Sequence, residues 1–248
     1  MSKVKQTTRG TLLPLNRFWH LARDPKDVFE YACSLLQETA SAAGVEFNGA
    51  RVLDVACGDR QIAVPHLWED AQLRVGLDLD LNSLRANEHV DVCCGDIHTL
   101  PFAEKTFDVI VSVDTIEHSD EPDIFLAEVS RALRPGGIAL IFTPHLWGYK
   151  TFIARVGGRV VFDLVWKLFY RRTLPYDAFY RANTARTLNR LASRAGMRLR
   201  EVYYISEIPH FFYRSRSLST AAFLYNDIVV RLRMPWLLNY MMAVLEKP

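Results

Sequence analysis

Between residues 50 and 144, short apolar runs alternate with segments whose apolar residues recur at helical spacing. Val52, Leu53 and Val55 make the first run, and residues 73–78, 90–96 and 107–111 make the next three. Runs this short, bounded by turn residues, read as buried strands, and the stretches between them as helices. Residues 135–149 are the longest stretch without a Lys, Arg, Asp or Glu and read as a fifth strand. Residues 184–196 read as a helix stopped by Gly196, 197–206 as a sixth strand and 237–246 as the last. Alternation of this kind predicts an α/β fold, a doubly wound sheet of seven strands with helices on both faces.

The remaining segments attach to that sheet. Residues 1–23 read as an irregular arm. Asp24-Pro25 opens a helix, with Asp as the cap and Pro at the first position. Phe29, Ala32, Cys33 and Leu36 give it an apolar face, and Gly44 stops it. The whole reads as a single domain over 1–248: arm and helix in 1–49, a core in 50–144, insertions at 145–182 and 207–236, and the rest of the sheet in 183–206 and 237–248.

Ligands of a doubly wound sheet lie across the carboxyl ends of its strands, and the candidate chemistry gathers there. Asp54 interrupts the first strand near its end, and the small residues Ala56, Cys57 and Gly58 follow as a tight turn. Twenty positions after Gly58, Asp78 ends the second strand, where an acid can accept hydrogen bonds from a ribose diol. Asp96 ends the third run and Asp114 follows the fourth. The Gly-x-Gly-x-x-Gly turn of a nicotinamide or flavin enzyme is absent.

Gly95-Asp96, Leu100-Pro101-Phe102, Phe107-Asp108, Glu117-His118 and Pro135-Gly136-Gly137 occur in that order. The series resembles the class I S-adenosylmethionine (SAM)-dependent methyltransferases, in the small-molecule branch that includes the ubiquinone/menaquinone and sterol enzymes. The resemblance covers residues 50–144 and implies a Rossmann-like sheet, parallel except for an antiparallel last strand between the fifth and sixth. It implies SAM as cofactor. Asp54 and the backbone of Ala56, Cys57 and Gly58 would face its amino-acid end, Asp78 and Leu79 its ribose and adenine face. Asp96 and Ile97 would hold the adenine, and Asp114 with Thr115 would lie under the methionine portion. The family's three turn glycines correspond here to Ala56, Gly58 and Arg60. A non-glycine residue at a positive φ is strained, so a SAM-fold binding or assembly protein without catalysis stands as the alternative.

The transferred methyl is already activated, so the protein aligns the nucleophile and excludes water. Where a base is needed, histidine suits neutral pH. His145, just after the fifth strand, and His118, after the fourth, are the candidates, while His20 and His210 lie in the arm and an insertion.

Composition adds an asymmetry that the net charge of +2 conceals. Residues 1–144 carry a net of −9 and residues 145–248 a net of +11. The basic half can dock on the acidic one or meet an anionic membrane surface. Residues 159–171 read as an amphipathic helix with Phe162, Trp166 and Phe169 on its apolar face. The second insertion mixes Phe211, Phe212, Tyr213, Phe223, Leu224 and Ile228 with Arg214, Arg216, Arg231 and Arg233. Both insertions suit helical caps over a lipophilic or bulky small molecule, or interfacial segments. Nucleic acid is set aside, because the aromatics lie among Val, Leu and Ile as in a core. Cys33, Cys57, Cys93 and Cys94 lack metal-ligand spacing, so free, mostly buried thiols and no metal are expected. With no apolar leader at the start, the expected place is the cytoplasm, with membrane association left open. Oligomeric state is not legible.

Overall fold

The computed structural model describes residues 11–12, 41, 44–59, 70–87, 90–149, 151–152, 156, 177–205 and 216–248. Its strands are β1 (Thr11–Leu12), β2 (Arg51–Val55), β3 (Leu73–Asp78), β4 (Asp91–Cys94), β5 (Phe107–Val113), β6 (Leu133–Pro144), β7 (Arg198–Ile205) and β8 (Tyr240–Glu246). They form one sheet in the order β1-β7-β8-β6-β5-β2-β3-β4. All pairings are parallel except those of β8, which runs antiparallel between β6 and β7. The seven expected strands are present with the expected odd strand out. The eighth corrects the reading of the arm as irregular: Thr11 and Leu12 pair in parallel with Tyr203 and Tyr204 at the sheet edge. Two residues carry no periodicity, so only the open edge of β7 reveals them.

Three boundaries move. The strand placed at 135–149 begins at Leu133 and ends at Pro144, where the chain turns into the loop holding His145. The strand placed at 90–96 ends at Cys94, and Asp96 forms an isolated bridge with Thr99 beyond it. The last strand starts at Tyr240, after a 3₁₀ turn over Pro235–Leu237. The described helices are α1 (Leu81–Ala86), α2 (Pro122–Ala132), α3 (Ala185–Arg194) and α4 (Arg216–Arg231). Thr184 caps α3 by accepting the Thr187 N–H at 3.2 Å, as the Thr-x-x-Thr spacing allows.

Alternation along the strands buries both faces of the sheet. Leu53, Val55, Ile110 and Ile141 pack on one side with Phe125, Leu126 and Val129 of α2 and Leu188 of α3. Val52, Val109, Val111 and Leu140 pack on the other with Val45 and Phe47. The Leu-Pro-Phe segment is fastened to α2 by an ion pair. Arg131 donates to both Glu128 oxygens at 2.8 Å and to the carbonyls of Leu100 and Phe102 at 2.8 and 2.7 Å. The Leu100 N–H completes the clasp on Glu128 at 2.8 Å. The bidentate guanidinium holds the Glu128 carboxyl below its usual range.

Of the described cysteines, Cys57 is buried, Cys93 half-buried and Cys94 exposed, so the expectation of mostly buried thiols fails at Cys94. Cys94 is the last residue of edge strand β4, which has a sheet partner on one side only. Cys57 packs against Gly76, where a Cβ would come within 2.7 Å of both Cys57 Sγ and Val90 Cγ2. Gly76→Ala should therefore lower unfolding stability by about 1–3 kcal/mol, the range for overpacking. Urea melts of the two proteins measure it, and an unchanged midpoint would show that the turn moves aside freely.

Candidate functional site

The order reverses between β2 and β5, which run parallel and so end at the same edge of the sheet. After Val55 the backbone enters the left-handed region at Ala56 (φ 60°) and again at Gly58 (φ 60°). Gly58 adopts it without strain, whereas Ala56 stores strain of about 1–3 kcal/mol that its surroundings must hold. The holding is visible. Cys57 donates its N–H to Leu77 O at 3.0 Å, and Gly58 donates its own to Asp78 Oδ2 at 2.9 Å. Asp78 Oδ1 accepts the Asp80 N–H at 2.8 Å, and Asn87 Nδ2 reaches Gly58 O at 3.2 Å. Asp78 thus clamps the β2 turn to the end of β3. A Cβ built on Gly58 meets nothing within 4 Å, so the turn faces open space.

Asp54 is the electrostatic centre of this crevice. It is buried within β2, and its Oδ2 has no hydrogen-bond partner. Burial, and then the nearby Asp78 charge, push its pKa up to about 8. Burial followed by the same two carboxylates pushes the Cys57 thiol up to about 12. Each shift records a shortage of positive charge at this spot.

The ends of β4, β5 and β6 add a polar rim. Asp96 Oδ1 accepts from the His98 N–H at 2.8 Å and meets His98 Nδ1 at 3.0 Å. The far ring nitrogen, Nε2, lies 2.9 Å from Ser119 Oγ, joining the β4 loop to the β5 loop. Thr115 Oγ1 donates to the Val113 carbonyl at 2.9 Å, and Asp114 is held at φ 48° on the exposed side. Glu117 is buried, and burial pushes its pKa up to about 7. Its Oε2 accepts the Thr143 hydroxyl at 2.8 Å, and Asn183 Nδ2 donates to Thr143 Oγ1 at 2.7 Å and to Pro144 O at 2.8 Å. The Glu117 carbonyl accepts the Phe179 N–H at 2.7 Å. Burial, Glu117 and then Asp114 push the neighbouring Tyr180 hydroxyl up to about 12. Leu79 stands exposed beside Asp78, and Ile97 is half-buried against the core.

The two candidate histidines differ. His118 is half-buried on the 3₁₀ turn Ile116–His118, with Nδ1 2.7 Å from the Asp177 carbonyl. A carbonyl only accepts, so Nδ1 carries the proton and the ring lone pair lies on Nε2. His145 is buried edge-on against Tyr204 (centroids 5.2 Å, 85°), and its Nδ1 has no hydrogen-bond partner. Burial lowers its pKa to about 4 despite a hydrogen bond to the Trp236 backbone.

Asp54, Ala56, Cys57, Gly58 and Asp78 thus lie around one turn, with Asp96 and Asp114 on adjoining strand ends. Sequence reasoning passed over His98, Glu117, Tyr180 and Asn183. Glu117 had a signal, an acid following the apolar Ile116 in a motif already noticed, whereas Asn183 acquires its role only through contact with Thr143. Arg60, His20, His210 and the predicted helix 159–171, with Phe162, Trp166 and Phe169, lie outside the described residues.

The family described as a methyltransferase domain matches residues 53–141. A fatty-acid O-methyltransferase of Mycolicibacterium smegmatis is 36% identical over 118 residues, 44% of this chain and 42% of that protein. A ubiquinone biosynthesis O-methyltransferase of Parvibaculum lavamentivorans is 30% identical over 170 residues, 66% of this chain and 64% of that protein. The chain thus spans between two fifths and two thirds of these relatives. Among solved structures, an S-adenosylmethionine dependent methyltransferase from Mesorhizobium loti superposes with a TM-score of 0.51 at 16% identity, covering 85% of this chain and 96% of that one. The [4+2]-cyclase SpnF superposes with a TM-score of 0.57 at 18% identity, covering 88% and 82%. At these identities the superpositions speak for the fold alone.

The raised Asp54 pKa has a consequence for the ligand-free protein. Its folded value of about 8 lies above the ordinary aspartate value of 3.8. Stability from the protonated form is therefore full below the unfolded pKa and is lost as pH rises through the folded one. Asp54→Asn should melt close to wild type at pH 4 and above it at pH 8, with the gap widening between. Thermal melts across that range test this, and a constant gap would remove the ionisation from the account.

Proposed function

We propose that this chain, whose residues 53–141 are a class I SAM-dependent methyltransferase domain of the small-molecule type, moves a methyl group to O, C or N of a lipophilic or bulky small molecule. The observation that carries the reading is the buried Asp54 carboxyl, whose Oδ2 has no hydrogen-bond partner, near Asp78 and the turn that opens at Gly58. That arrangement fits a cofactor bearing an ammonium and a sulfonium, whose positive charge would relieve both carboxylates. Asp78 keeps a second lone pair on each oxygen beyond its two backbone bonds, enough to accept a ribose diol. In this reading Asp54, Ala56, Cys57 and Gly58 hold the amino-acid end, Asp78 and Leu79 the ribose and adenine face, Asp96 and Ile97 the adenine, and Asp114 the methionine portion.

Bound there, SAM supplies a methyl activated by its sulfonium charge. The protein's residues orient the acceptor in line with it beneath a cap built from 145–182 and 207–236, keep water out, and take up any proton released. The proton falls to His118, whose Nε2 lone pair is fixed by the Nδ1–Asp177 contact. His145, with its pKa lowered to about 4, acts in this reading as a neutral wall of the acceptor side. The relatives named as quinone and fatty-acid O-methyltransferases support a lipophilic acceptor, and an anionic membrane surface is where such an acceptor would be met.

Two measurements test the assignment. SAM titrated calorimetrically into wild type should bind, and Asp78→Ala should weaken it about ten- to a hundredfold, as for a charge-assisted hydrogen-bond partner. An unchanged affinity in the folded variant would remove Asp78 from the site, and no binding to wild type would favour the non-catalytic alternative. With a long-chain fatty acid and an alkyl catechol as trial acceptors, His118→Ala should lower kcat by roughly 10²-fold or more with SAM affinity intact. A larger loss in His145→Ala would transfer the role to His145.

A further inference from the structure

Large apolar side chains left exposed gather at the end of the molecule where the acceptor would enter. Leu224, Ile228 and Leu232 are 58%, 45% and 63% exposed. They stand four residues apart along α4 and its exit, so they align as one stripe. Trp236 continues it beyond the helix at 47% exposure. Trp147 and Phe152, each 53% exposed, follow the carboxyl end of β6. The two segments are joined by Tyr149 and Tyr225, whose rings meet edge-to-face with centroids 5.4 Å apart.

The helix has a separate inward face. Val229 is buried, and the Tyr225 hydroxyl donates to Leu237 O at 2.9 Å. The stripe is therefore surplus to the packing of α4 on the sheet. On its other flank lies Arg231, paired with Asp227 at 2.8 Å and still largely exposed, and Arg233 is exposed in the following turn. An apolar stripe with aromatic ends, flanked by the exposed Arg233 and the Arg231–Asp227 pair, on the half of the chain with a net of +11, matches the layering of an anionic bilayer surface. A second copy of the chain would bring like charges together on the same face. No helix among the described residues is long and apolar enough to cross a membrane, so the face would lie on the bilayer.

We propose that α4 and the segment around Trp147 form a docking face for an anionic lipid surface, through which a lipophilic acceptor reaches the strand ends. The proposal rests on the lipophilic-acceptor reading above for its purpose, but the binding itself does not require it. Sedimentation of the full chain, without cofactor, with vesicles of equimolar phosphatidylglycerol and phosphatidylcholine tests it directly. Wild type should sediment at low salt, fail to do so with phosphatidylcholine alone, and release as salt rises. Arg231→Gln with Arg233→Gln should weaken binding about fivefold per arginine. Leu224→Ser with Ile228→Ser should abolish it, with melting temperature and SAM affinity unchanged because the stripe is exposed. Failure of wild type to sediment at low salt would overturn the proposal, as would wild-type binding by the serine variant. So would a self-association that the serine variant abolishes while vesicle binding persists, which would assign the face to a second copy. Vesicle binding without SAM binding would leave this face standing and remove the methyltransferase reading, and SAM binding without vesicle binding would do the reverse.

Discussion

Asp54 and Asp78 lie by the same small-residue turn on neighbouring parallel strands, and the Asp78 charge makes Asp54 harder to ionise. Asp54 is the partner without solvent, so the cost falls on it, and its pKa rises to about 8. Asp78 spends its oxygens on the N–H groups of Gly58 and Asp80. Those bonds in turn keep Ala56 and Gly58 in the left-handed region that opens the turn. Replacing Asp78 would remove the bonds that shape the turn. The arrangement is consistent with a site that trades some stability of the empty protein for affinity toward a cation.

Around that pair, the loops at the strand ends are immobilised by a few polar bonds apiece. Arg131 and Glu128 pin residues 100–102 to α2, and His98 bridges Asp96 to Ser119. Glu117, Thr143 and Asn183 tie the β5 loop to the end of β6 and to the segment before α3. The Glu117 carboxyl, the Thr143 hydroxyl and the Asn183 Nδ2 are tolerable there because each finds a partner in the chain. The ordered motifs that mark the sequence are therefore as much about holding loops still as about touching a ligand. Leu100-Pro101-Phe102 shows this most plainly, since its two outer carbonyls are consumed by one guanidinium.

Much of this was legible before any coordinates. Apolar runs bounded by turns locate β2, β3, β5 and β8 to within a few residues, because strand burial on both faces leaves little room for polar positions. The boundaries that moved are those where a run of uncharged residues continues past the sheet. His145 and Trp147 extend the uncharged run beyond β6 although the backbone has already turned. The edge strand Thr11–Leu12 escaped notice because pairing with β7, not its own residues, makes it a strand.

By itself the sequence determined the strand-helix alternation and the acids that stand at successive strand ends. These follow from local burial patterns and from residues adjacent along the chain. Only the tertiary structure decided which atoms of those acids are already engaged, and that Asp54 keeps a buried oxygen without a hydrogen-bond partner. It also sets the histidines apart, since His118 and His145 look alike as loop residues. Their difference lies in what surrounds them: a carbonyl from Asp177 beside one, and the Tyr204 ring against the buried other. A residue's ionisation and hydrogen bonding depend on groups brought near by folding from distant parts of the chain, and no spacing along the sequence encodes that distance.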